Sequence, residues 1–423
     1  MSDPFPADRP NPPDLVPFER AREQALARVA PLAPRELPVG DALGCVLAAD
    51  VAAAEDLPPF ANSAMDGFAV RAADLAAAGA APVALRLAGE VFAGSGRLPT
   101  VAPGAAVRIT TGAAVPPGAD AVVPLEQATV EGDRVLVGVA PDPGAFVRAA
   151  GEDVRAGTVV LARGSLLDAA AVGMLASVGR RLVPVHPRPR VAVVSTGDEL
   201  VEPGEPLGPG QIRDSNAWLL QAQASAAGAD AFRCGRLRDD PETLRRGFAL
   251  AAAEGDLVVT SGGVSVGERD YTKQVLAELG DVRAFRVAMQ PGMPQAFGLA
   301  AGTPLYGLPG NPVSCFVVFE TLVRPALRRL AGHPDDRLDR PRVVARLADP
   351  VRSPAGKVSF LRVRLRVGPD GLEAALTGPQ GSGVLSSCVA ADGLAVVPPD
   401  TTQLAANAAV QVVLLREDLQ WVT

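Results

Sequence analysis

Glycine, serine and acidic residues occur together in the segment SGGVSVGERDY. The members that could contact an anion or a cation are Ser261, Gly262, Gly263, Ser265, Gly267, Glu268 and Asp270. Glycine leaves backbone N–H groups exposed and lets an oxyanion approach closely, and serine adds a hydroxyl donor. Acids beside a phosphate loop often hold a cation. The segment therefore indicates a phosphate-binding loop, with an ordinary turn as the alternative for its glycines alone.

Further acids lie at or near the ends of predicted strands. Asp198 and Glu199 follow the apolar run VAVVS in STGDEL, and Asp256 adjoins LVVT. Carboxylates that converge on one cleft stay ionised only when a cation neutralises them. Oxygen ligands without Cys or His favour Mg²⁺. A magnesium site is one interpretation, and individually solvated surface acids are the other.

Three further loops place polar residues in turn-forming surroundings. Asn311 of GLPGNP can cap a helix, and Pro312 suits the first turn of that helix, so a structural role alone explains this pair. A phosphate bound at the helix N-terminus is compatible with the same arrangement. Asp66 of NSAMDGFAV stands in a turn beside Gly67, and TTGAAVPPGAD carries Thr111 in a similar loop. From the residues alone, we interpret the last two segments as well-formed turns.

Strands and helices alternate from about residue 190 onward. The runs VAVVS, FRCGRL, DLVVT and PLYGL predict strands, and a segment with helical character follows each of them. This alternation predicts a doubly wound α/β domain with a mostly parallel sheet and helices on both faces. Ligands of open α/β sheets bind beyond the carboxyl ends of the strands. The segments STGDEL, DSN, SGGVSVGERDY and GLPGNP fall at that place.

The flanking regions have other patterns. Residues 1–14 are rich in Pro and Asp and are expected to be disordered, and apolar positions between Pro17 and Ala30 fall on one helical face. Short β segments separated by Pro and Gly predict a β-rich domain over residues 51–141. The last ~80 residues alternate again and predict a small β-barrel or sandwich.

Composition narrows the classes of function. The chain has 423 residues and a formal net charge of −7, which argues against a broad basic surface for nucleic acid or anionic lipid. Its scattered cysteines form no C-x-x-C pair and its histidines are far apart, so neither a zinc cluster nor a disulfide framework is expected. No apolar run approaches the ~20 residues that span a bilayer. We expect a soluble cytoplasmic protein that binds neither nucleic acid nor membrane.

The order of the motifs resembles that of the molybdopterin molybdenumtransferase family, which includes a domain of eukaryotic gephyrin-type proteins. In order, the segments are NSAMDG, TGAAVPPGADAVV, GED, STGDEL, DSN, SGGVSVGERDYTK, GLPGNPVS and QGSG. Any one segment is weak, but the complete series is highly specific. It covers nearly the whole chain, from about Phe18 to the end.

The resemblance implies a multidomain α/β protein that forms an elongated homodimer. The expected parts are a disordered segment (1–14), a linking and dimerisation domain (15–50 plus 142–187), a β-rich domain (51–141), an α/β molybdopterin-binding domain (188–333) and a C-terminal β-barrel-like domain (338–423). The β-rich domain of one subunit is expected to contribute to the active cleft of the other.

The resemblance also implies the last step of molybdenum cofactor biosynthesis. Adenylylated molybdopterin and molybdate would be the substrates, and the molybdenum cofactor and AMP would be the products. Mg²⁺ would assist the reaction. The molybdopterin adenylyltransferase is a candidate protein partner.

Functional positions of the family map onto this chain motif by motif. The implied catalytic residues are Asp66, Thr111, Asp153, Glu199, Asp256 and Asp270. The residues implied in binding the pterin are Ser261, Gly262, Gly263, Ser265, Gly267, Lys273, Pro309, Asn311 and Pro312. Glu199, Asp256 and Asp270 would hold Mg²⁺ against the pyrophosphate. Asp66 and Thr111 would come from the partner chain.

One segment departs from the family pattern. The family often has KPGKP where this chain has QPGMP, so Gln290 and Met293 replace two lysines. Each lysine lost removes a charge-assisted bond of about 1.5–3 kcal/mol to an anionic ligand. The candidates to replace them, by proximity in sequence, are Arg269, Lys273 and Arg286.

Two alternatives and one further motif remain open. A related α/β module transfers an adenylyl group to molybdopterin, but the flanking domains here favour the insertion step. A non-catalytic cofactor-binding scaffold is the other alternative, because the two lysines are missing. Arg362 and the QGSGVLSS segment match a stretch that the family places near the cleft, with a strand-surface arginine as an equal alternative.

Overall fold

The computed structural model describes residues 15–263, 271–369 and 371–416. The predictions for residues 1–14 and for Ser265, Gly267 and Asp270 lie outside the described residues, as does the side chain of Lys273. The predicted multidomain α/β class is confirmed.

A six-stranded sheet organises the α/β domain. Its strands are β1 (Arg190–Thr196), β2 (Asp230–Leu237), β3 (Leu257–Ser261), β4 (Gly280–Arg286), β5 (Pro294–Ala300) and β6 (Thr303–Leu308). Their order is β2-β1-β3-β6-β5-β4, and the first four run parallel. The antiparallel pair β4 and β5 was not predicted, because glycine and polar residues interrupt its apolar pattern. The mostly parallel sheet is confirmed.

Helices cover both faces of this sheet. They are α1 (Ser215–Ala226), α2 (Pro241–Glu254), α3 (Tyr271–Leu279) and α4 (Pro312–Val318). Strand β1 shows why both faces need cover: Val191 and Val193 belong to one apolar cluster, and Ala192 and Val194 belong to the other. Successive side chains of a strand point to opposite faces, so a continuous apolar run is buried on both.

The helical segment after β6 is divided into three parts. Helix α4 continues into a π-helical stretch, Phe319–Val323, and then into the α-helix Arg324–Leu330. Pro325 lies in the first turn of the last part and lacks a backbone N–H, so regular α-helical hydrogen bonding cannot pass through it. A single helix was predicted here.

The first described helix, Phe18–Leu26, packs on the α/β domain. Ala21 and Ala25 join the apolar cluster of that domain, and the Tyr306 hydroxyl donates to the Ala25 carbonyl at 2.6 Å. The apolar face of this helix buries against the α/β domain, because the cluster of that domain offers a matching apolar surface. The linking domain over residues 15–50 plus 142–187 stays a prediction.

Residues distant in sequence form a small three-stranded sheet. Its strands are Arg35–Pro38, Leu182–His186 and Val46–Leu47, in that order. The helix Ala169–Ser177 contributes Ala171 and Leu175 to the same apolar cluster.

The β-rich region contains a six-stranded sheet. Its strands, in spatial order, are Ala121–Pro124, Gly67–Val70, Ala105–Ile109, Val83–Val91, Arg134–Val137 and Ala128–Glu131. Shorter pairs join Asn62–Ser63 to Val147–Arg148 and Val51–Ala52 to Val159–Leu161.

The C-terminal region closes into a five-stranded barrel. The strands, around the barrel, are Val358–Gly368, Gly371–Leu376, Arg342–Leu347, Ala409–Leu414 and Gly393–Val397. The last strand pairs with the first, which completes the barrel. A short strand of the α/β domain, Met289–Gln290, also pairs with the barrel strand Val358–Gly368. The predicted barrel-like domain is confirmed.

Candidate functional site

Three motif loops meet at the carboxyl edge of the parallel sheet. The Asn216 side chain at the start of α1 donates to the Gly310 carbonyl at 2.7 Å, which joins the DSN and GLPGNP loops. The Gly262 N–H donates to the Leu308 carbonyl at 3.1 Å, which joins the SGG segment to the same loop. Three of the four segments that the sequence predicted at this edge are therefore in contact with one another.

Gly262 and Gly263 are required by the backbone. Both have left-handed φ angles, +87° and +65°. A Cβ on Gly263 would lie 2.3 Å from Thr272 Oγ1, and one on Gly262 would lie 2.9 Å from the Thr196 carbonyl oxygen. Any side chain here would therefore clash. The Gly262 N–H already donates to the Leu308 carbonyl, so the expectation that this N–H is exposed to an oxyanion is wrong.

Hydroxyl groups at this edge lack partners. Among the described residues, the buried oxygens Ser195 Oγ, Thr196 Oγ1 and Thr260 Oγ1 make no hydrogen bond. Thr196 Oγ1 would be 3.2 Å from a Cβ on Gly262, so it lies beside the glycine turn. Buried polar atoms without partners are costly in a protein interior. Of the three, the Thr196 hydroxyl lies beside the glycine turn, where a ligand or water could bond to it.

Three exposed acids approach one another beside the glycine turn. Partial burial raises the pKa of Asp239, and the negative charges of Asp198 and Glu199 raise it further. The three acids are close because the Gly197 N–H donates to the Leu237 carbonyl at 3.4 Å, which aligns the ends of β1 and β2. This edge of the sheet therefore concentrates negative charge next to the SGG segment.

Asp239 was missed in the sequence, although its neighbour gave a usable signal. Asp240 caps α2, because its carboxylate accepts from the Thr243 N–H at 2.9 Å and Pro241 follows it. Once Asp240 is assigned to the cap, Asp239 is the acid of the pair that the helix does not need. It stands two residues after strand β2, at the edge where ligands bind.

Asp256 lies at the opposite edge of the sheet. It precedes β3, whereas Ser261 ends that strand, and its carboxylate accepts from the Arg190 N–H at 2.8 Å. The predicted meeting of Asp256 with Glu199 at one cation does not occur, since residues before and after a parallel strand are separated by its length. Its bond fixes the start of β1.

The described acids alone do not complete a metal site. Within residues 15–263, 271–369 and 371–416, no group of three His, Cys, Asp or Glu side chains is arranged to hold a metal ion. Glu199 and Asp239 supply hard oxygen ligands of the type that Mg²⁺ prefers. A complete set needs a further ligand.

Asn311 occupies the N-cap position of α4 but does not cap it with its side chain. Its amide donates instead to Ser382 Oγ at 3.1 Å, and the Ser382 carbonyl accepts from the Val313 N–H at 3.1 Å. Pro312 takes the predicted place in the first turn, and Pro309 is buried. The QGSG segment of the C-terminal region therefore caps a helix of the α/β domain.

Arg362 is not a surface residue. It is 1% exposed, its Nε donates to Ser387 Oγ at 3.1 Å, and its Nη2 donates to the Gly381 carbonyl at 3.3 Å. Burial lowers the pKa of its guanidinium. The alternative of an exposed strand arginine is wrong, and the buried charge supports the backbone of the QGSG segment.

Asp66 and Thr111 form a pair in the β-rich region. Asp66 Oδ1 accepts from the Thr111 N–H at 2.7 Å and from the Thr111 hydroxyl at 2.9 Å. These bonds, the backbone one first, lower the pKa of Asp66. Asp153 lies elsewhere on this region, where its N–H donates to the Leu57 carbonyl at 3.0 Å. The pair is exposed and ionised, ready to contact another molecule.

Comparison with known families covers most of the chain. The MoeA N-terminal region (domain I and II) matches residues 16–179. A probable molybdopterin binding domain matches residues 192–329, and the MoeA C-terminal region (domain IV) matches residues 344–415. In addition, no helix in the described ranges has the length and apolar character needed to cross a membrane.

Individual relatives agree with the family profiles. Molybdopterin molybdenumtransferase 2 of Mycobacterium tuberculosis is 42% identical, over 90% of this chain and 94% of the relative. Molybdopterin molybdenumtransferase of Haemophilus influenzae is 35% identical, over 94% of this chain and 98% of the relative. The crystal structure of a molybdopterin biosynthesis MoeA protein from Pyrococcus horikoshii superposes with a TM-score of 0.80 at 35% identity, covering 95% and 99% of the two chains. The chain belongs to the molybdopterin molybdenumtransferase family.

Proposed function

We propose that this protein is a transferase that inserts molybdenum from molybdate into adenylylated molybdopterin. The products would be the molybdenum cofactor and AMP, in the last step of the cofactor's biosynthesis. The observation that carries the proposal is the contact of the DSN, SGG and GLPGNP loops at one edge of the sheet, in a chain of this family. The adenylylated form of the substrate is inferred from the family resemblance.

The pterin and its pyrophosphate would lie across this edge. Ser261 precedes two glycines, Gly262 and Gly263, whose positions cannot accommodate a side chain, so the backbone there can approach a phosphate closely. The unpartnered Thr196 hydroxyl can donate a further bond. Ser265, Gly267 and Lys273 keep their proposed binding roles by motif alone. Tight positioning of this kind lowers the barrier to cleavage of a phosphoanhydride.

The negative edge fits a magnesium ion in part. Glu199 and Asp239 would hold it, with Asp270 as the further ligand by motif. Such an ion would offset negative charge on the pyrophosphate when bound. The raised pKa of Asp239 supports this assignment, because a cation relieves the repulsion among neighbouring carboxylates.

The paired residues of the β-rich region would act across a homodimer. Asp66 and Thr111 are exposed and hydrogen-bonded to each other, but no described contact joins them to the SGG or GLPGNP loops. A cleft shared by two subunits would bring them to the reacting molybdate. Asp153 would act on the same side. The protein would work in the cytoplasm, and the molybdopterin adenylyltransferase would deliver its substrate.

Release of AMP tests the proposal directly. Purified protein, adenylylated molybdopterin, Mg²⁺ and molybdate should yield AMP, and omission of molybdate should abolish most of it. Consumption of ATP with free molybdopterin would instead identify an adenylyl transferase. Tight substrate binding without any AMP would identify a scaffold. Either of the last two results would overturn the proposal.

A further inference from the structure

A pocket lies between the α/β domain and the C-terminal barrel. Its volume is about 350 Å³. It is formed by the QPGMP segment, the first turn of α4 and the QGSG segment, and its polar walls include Gln290, Ser314 and Ser382. Met293, the other position that departs from the family's lysines, also lines it.

Lys357 supplies the positive charge in this pocket. None of the described residues that line the pocket is acidic. In the described part of the chain, Lys357 has no ion pair with a carboxylate. Partial burial lowers the pKa of its ammonium group, and the charge of Arg286 lowers it further. An unpaired, partly buried cation in an acid-free pocket attracts an anion.

The buried side chain of Arg362 supports the opposite wall of the pocket. The Arg362 guanidinium donates to the Gly381 carbonyl, and Gly381 is part of the pocket lining. Ser314 is 4% exposed and lines the pocket together with Ser382. The pocket therefore combines positive potential with serine hydroxyls, which suits a small oxyanion.

Strand pairing explains why a lysine from the barrel reaches this loop. Met289 pairs with Val358 and Gln290 pairs with Ser359, in parallel register. The Val358 N–H donates to the Ala288 carbonyl at 3.0 Å. Residue 357 therefore enters the pocket beside the QPGMP segment, although it is far away in sequence.

We propose that Lys357 binds a tetrahedral oxyanion in this pocket and does the work of the lysines absent at positions 290 and 293. The ligand is either molybdate or a phosphate group of the adenylylated substrate, which share this chemistry. The inference rests on the proposed function for the identity of the oxyanion. It assigns the compensating charge to the barrel rather than to Arg269, Lys273 or Arg286.

Binding measurements on the full-length protein test the role of Lys357. Calorimetric titration with molybdate and, separately, with AMP should show that Lys357→Met weakens at least one of them about 10- to 100-fold, as expected for loss of a charge-assisted bond. Lys357→Arg should stay within about threefold of the wild type. Arg97→Met, which removes an exposed charge in the β-rich region, is the matched control and should change neither titration.

A rescue variant separates charge from structure. Lys357→Met combined with Met293→Lys returns a lysine to the same pocket at a family position, and it should regain most of the lost affinity. Unchanged binding of both ligands in Lys357→Met would overturn the proposal. So would a loss that neither Lys357→Arg nor Met293→Lys can restore. The titrations measure binding and need no turnover. Failure of AMP release would therefore refute the proposed function without deciding whether Lys357 binds an oxyanion.

Discussion

Thr111 directs two hydrogen bonds at a single carboxylate oxygen of Asp66. The backbone N–H donates at 2.7 Å and the hydroxyl at 2.9 Å. Both bonds favour the ionised carboxylate, which is why the pKa of Asp66 is lowered. A surface acid held in one orientation, with one oxygen still free to accept, is suited to a defined contact with a second molecule.

Removal of the Thr111 hydroxyl should raise the pKa of Asp66. A depressed carboxyl pKa adds stability above the unfolded-state pKa, and this contribution is lost as the pH falls through the folded-state value. In Thr111→Ala we therefore expect the stability contribution of the Asp66 carboxylate to be lost at higher pH than in the wild type. Titration of the Asp66 carboxyl by NMR measures the shift. Thr111→Ser keeps the hydroxyl and should titrate like the wild type; equal titration of all three proteins would contradict the assignment.

Two inactive variants should complement each other if the cleft is shared. Asp66→Asn and Glu199→Gln each should lose AMP release by at least about tenfold, as expected for loss of one positioned charge. Mixed dimers contain one cleft in which both positions are intact. Dissociation and reassociation of the two variants should therefore restore up to about a quarter of wild-type activity by random pairing into dimers of closed symmetry. Normal dimer formation without any restored activity would exclude the cross-subunit cleft.

The two edges of the sheet should respond differently to loss of an acid. Asp239→Asn should lower AMP release by at least about tenfold, whereas Asp256→Asn should keep it within about threefold. In Asp256→Asn the amide oxygen can still accept from the Arg190 N–H, so only the charge-assisted part of the bond is lost, which should cost about 0.5–1.5 kcal/mol of unfolding free energy. Urea unfolding and the AMP assay together measure both effects. The reverse pattern of activity would return Asp256 to the metal site.

The Asp239 variant should also gain stability at neutral pH. A raised carboxyl pKa means that the folded state disfavours the ionised form, so this cost is present above the folded-state pKa and disappears below the unfolded-state value. Removal of the charge should therefore raise the unfolding midpoint at pH 7 more than at pH 3. Asp240→Asn, which keeps a capping side chain on α2, is the control. A stability gain that is the same at both pH values would contradict the repulsion among the three acids.

Gly263→Ala should be far more damaging than a glycine substitution in open space. Its Cβ would lie 2.3 Å from Thr272 Oγ1, in addition to the strain of φ at +65°. Gly94→Ala has the same kind of strain, with φ at +83°, but meets nothing within 4 Å. We expect a loss of about 1 kcal/mol for Gly94→Ala and at least about 2 kcal/mol more for Gly263→Ala, measured by thermal or urea unfolding. Equal losses would show that the turn is not tightly packed.

Local sequence patterns predicted the strands and helices of the α/β domain better than they predicted which side chains meet at its candidate site. The apolar run of β1 and the Pro-led helices are properties of contiguous residues, so they can be recognised directly in the sequence. The charge repulsion between Asp239 and Glu199 depends on the alignment of two separate strands. The entry of Lys357 into the QPGMP pocket depends on pairing between two domains. Asp256 was misplaced because it was assigned by motif match, although its position before the strand puts it at the amino edge of the sheet.

The cap on α4 comes from a segment made late in synthesis. The first turn of that helix obtains the Ser382 carbonyl only from the C-terminal barrel, and the Asn311 side chain depends on the same serine. A growing chain that has left the ribosome up to α4 therefore still lacks the partner that fixes its GLPGNP loop. The carboxyl edge of the parallel sheet, where the proposed ligand would bind, reaches its final form only when translation is almost complete.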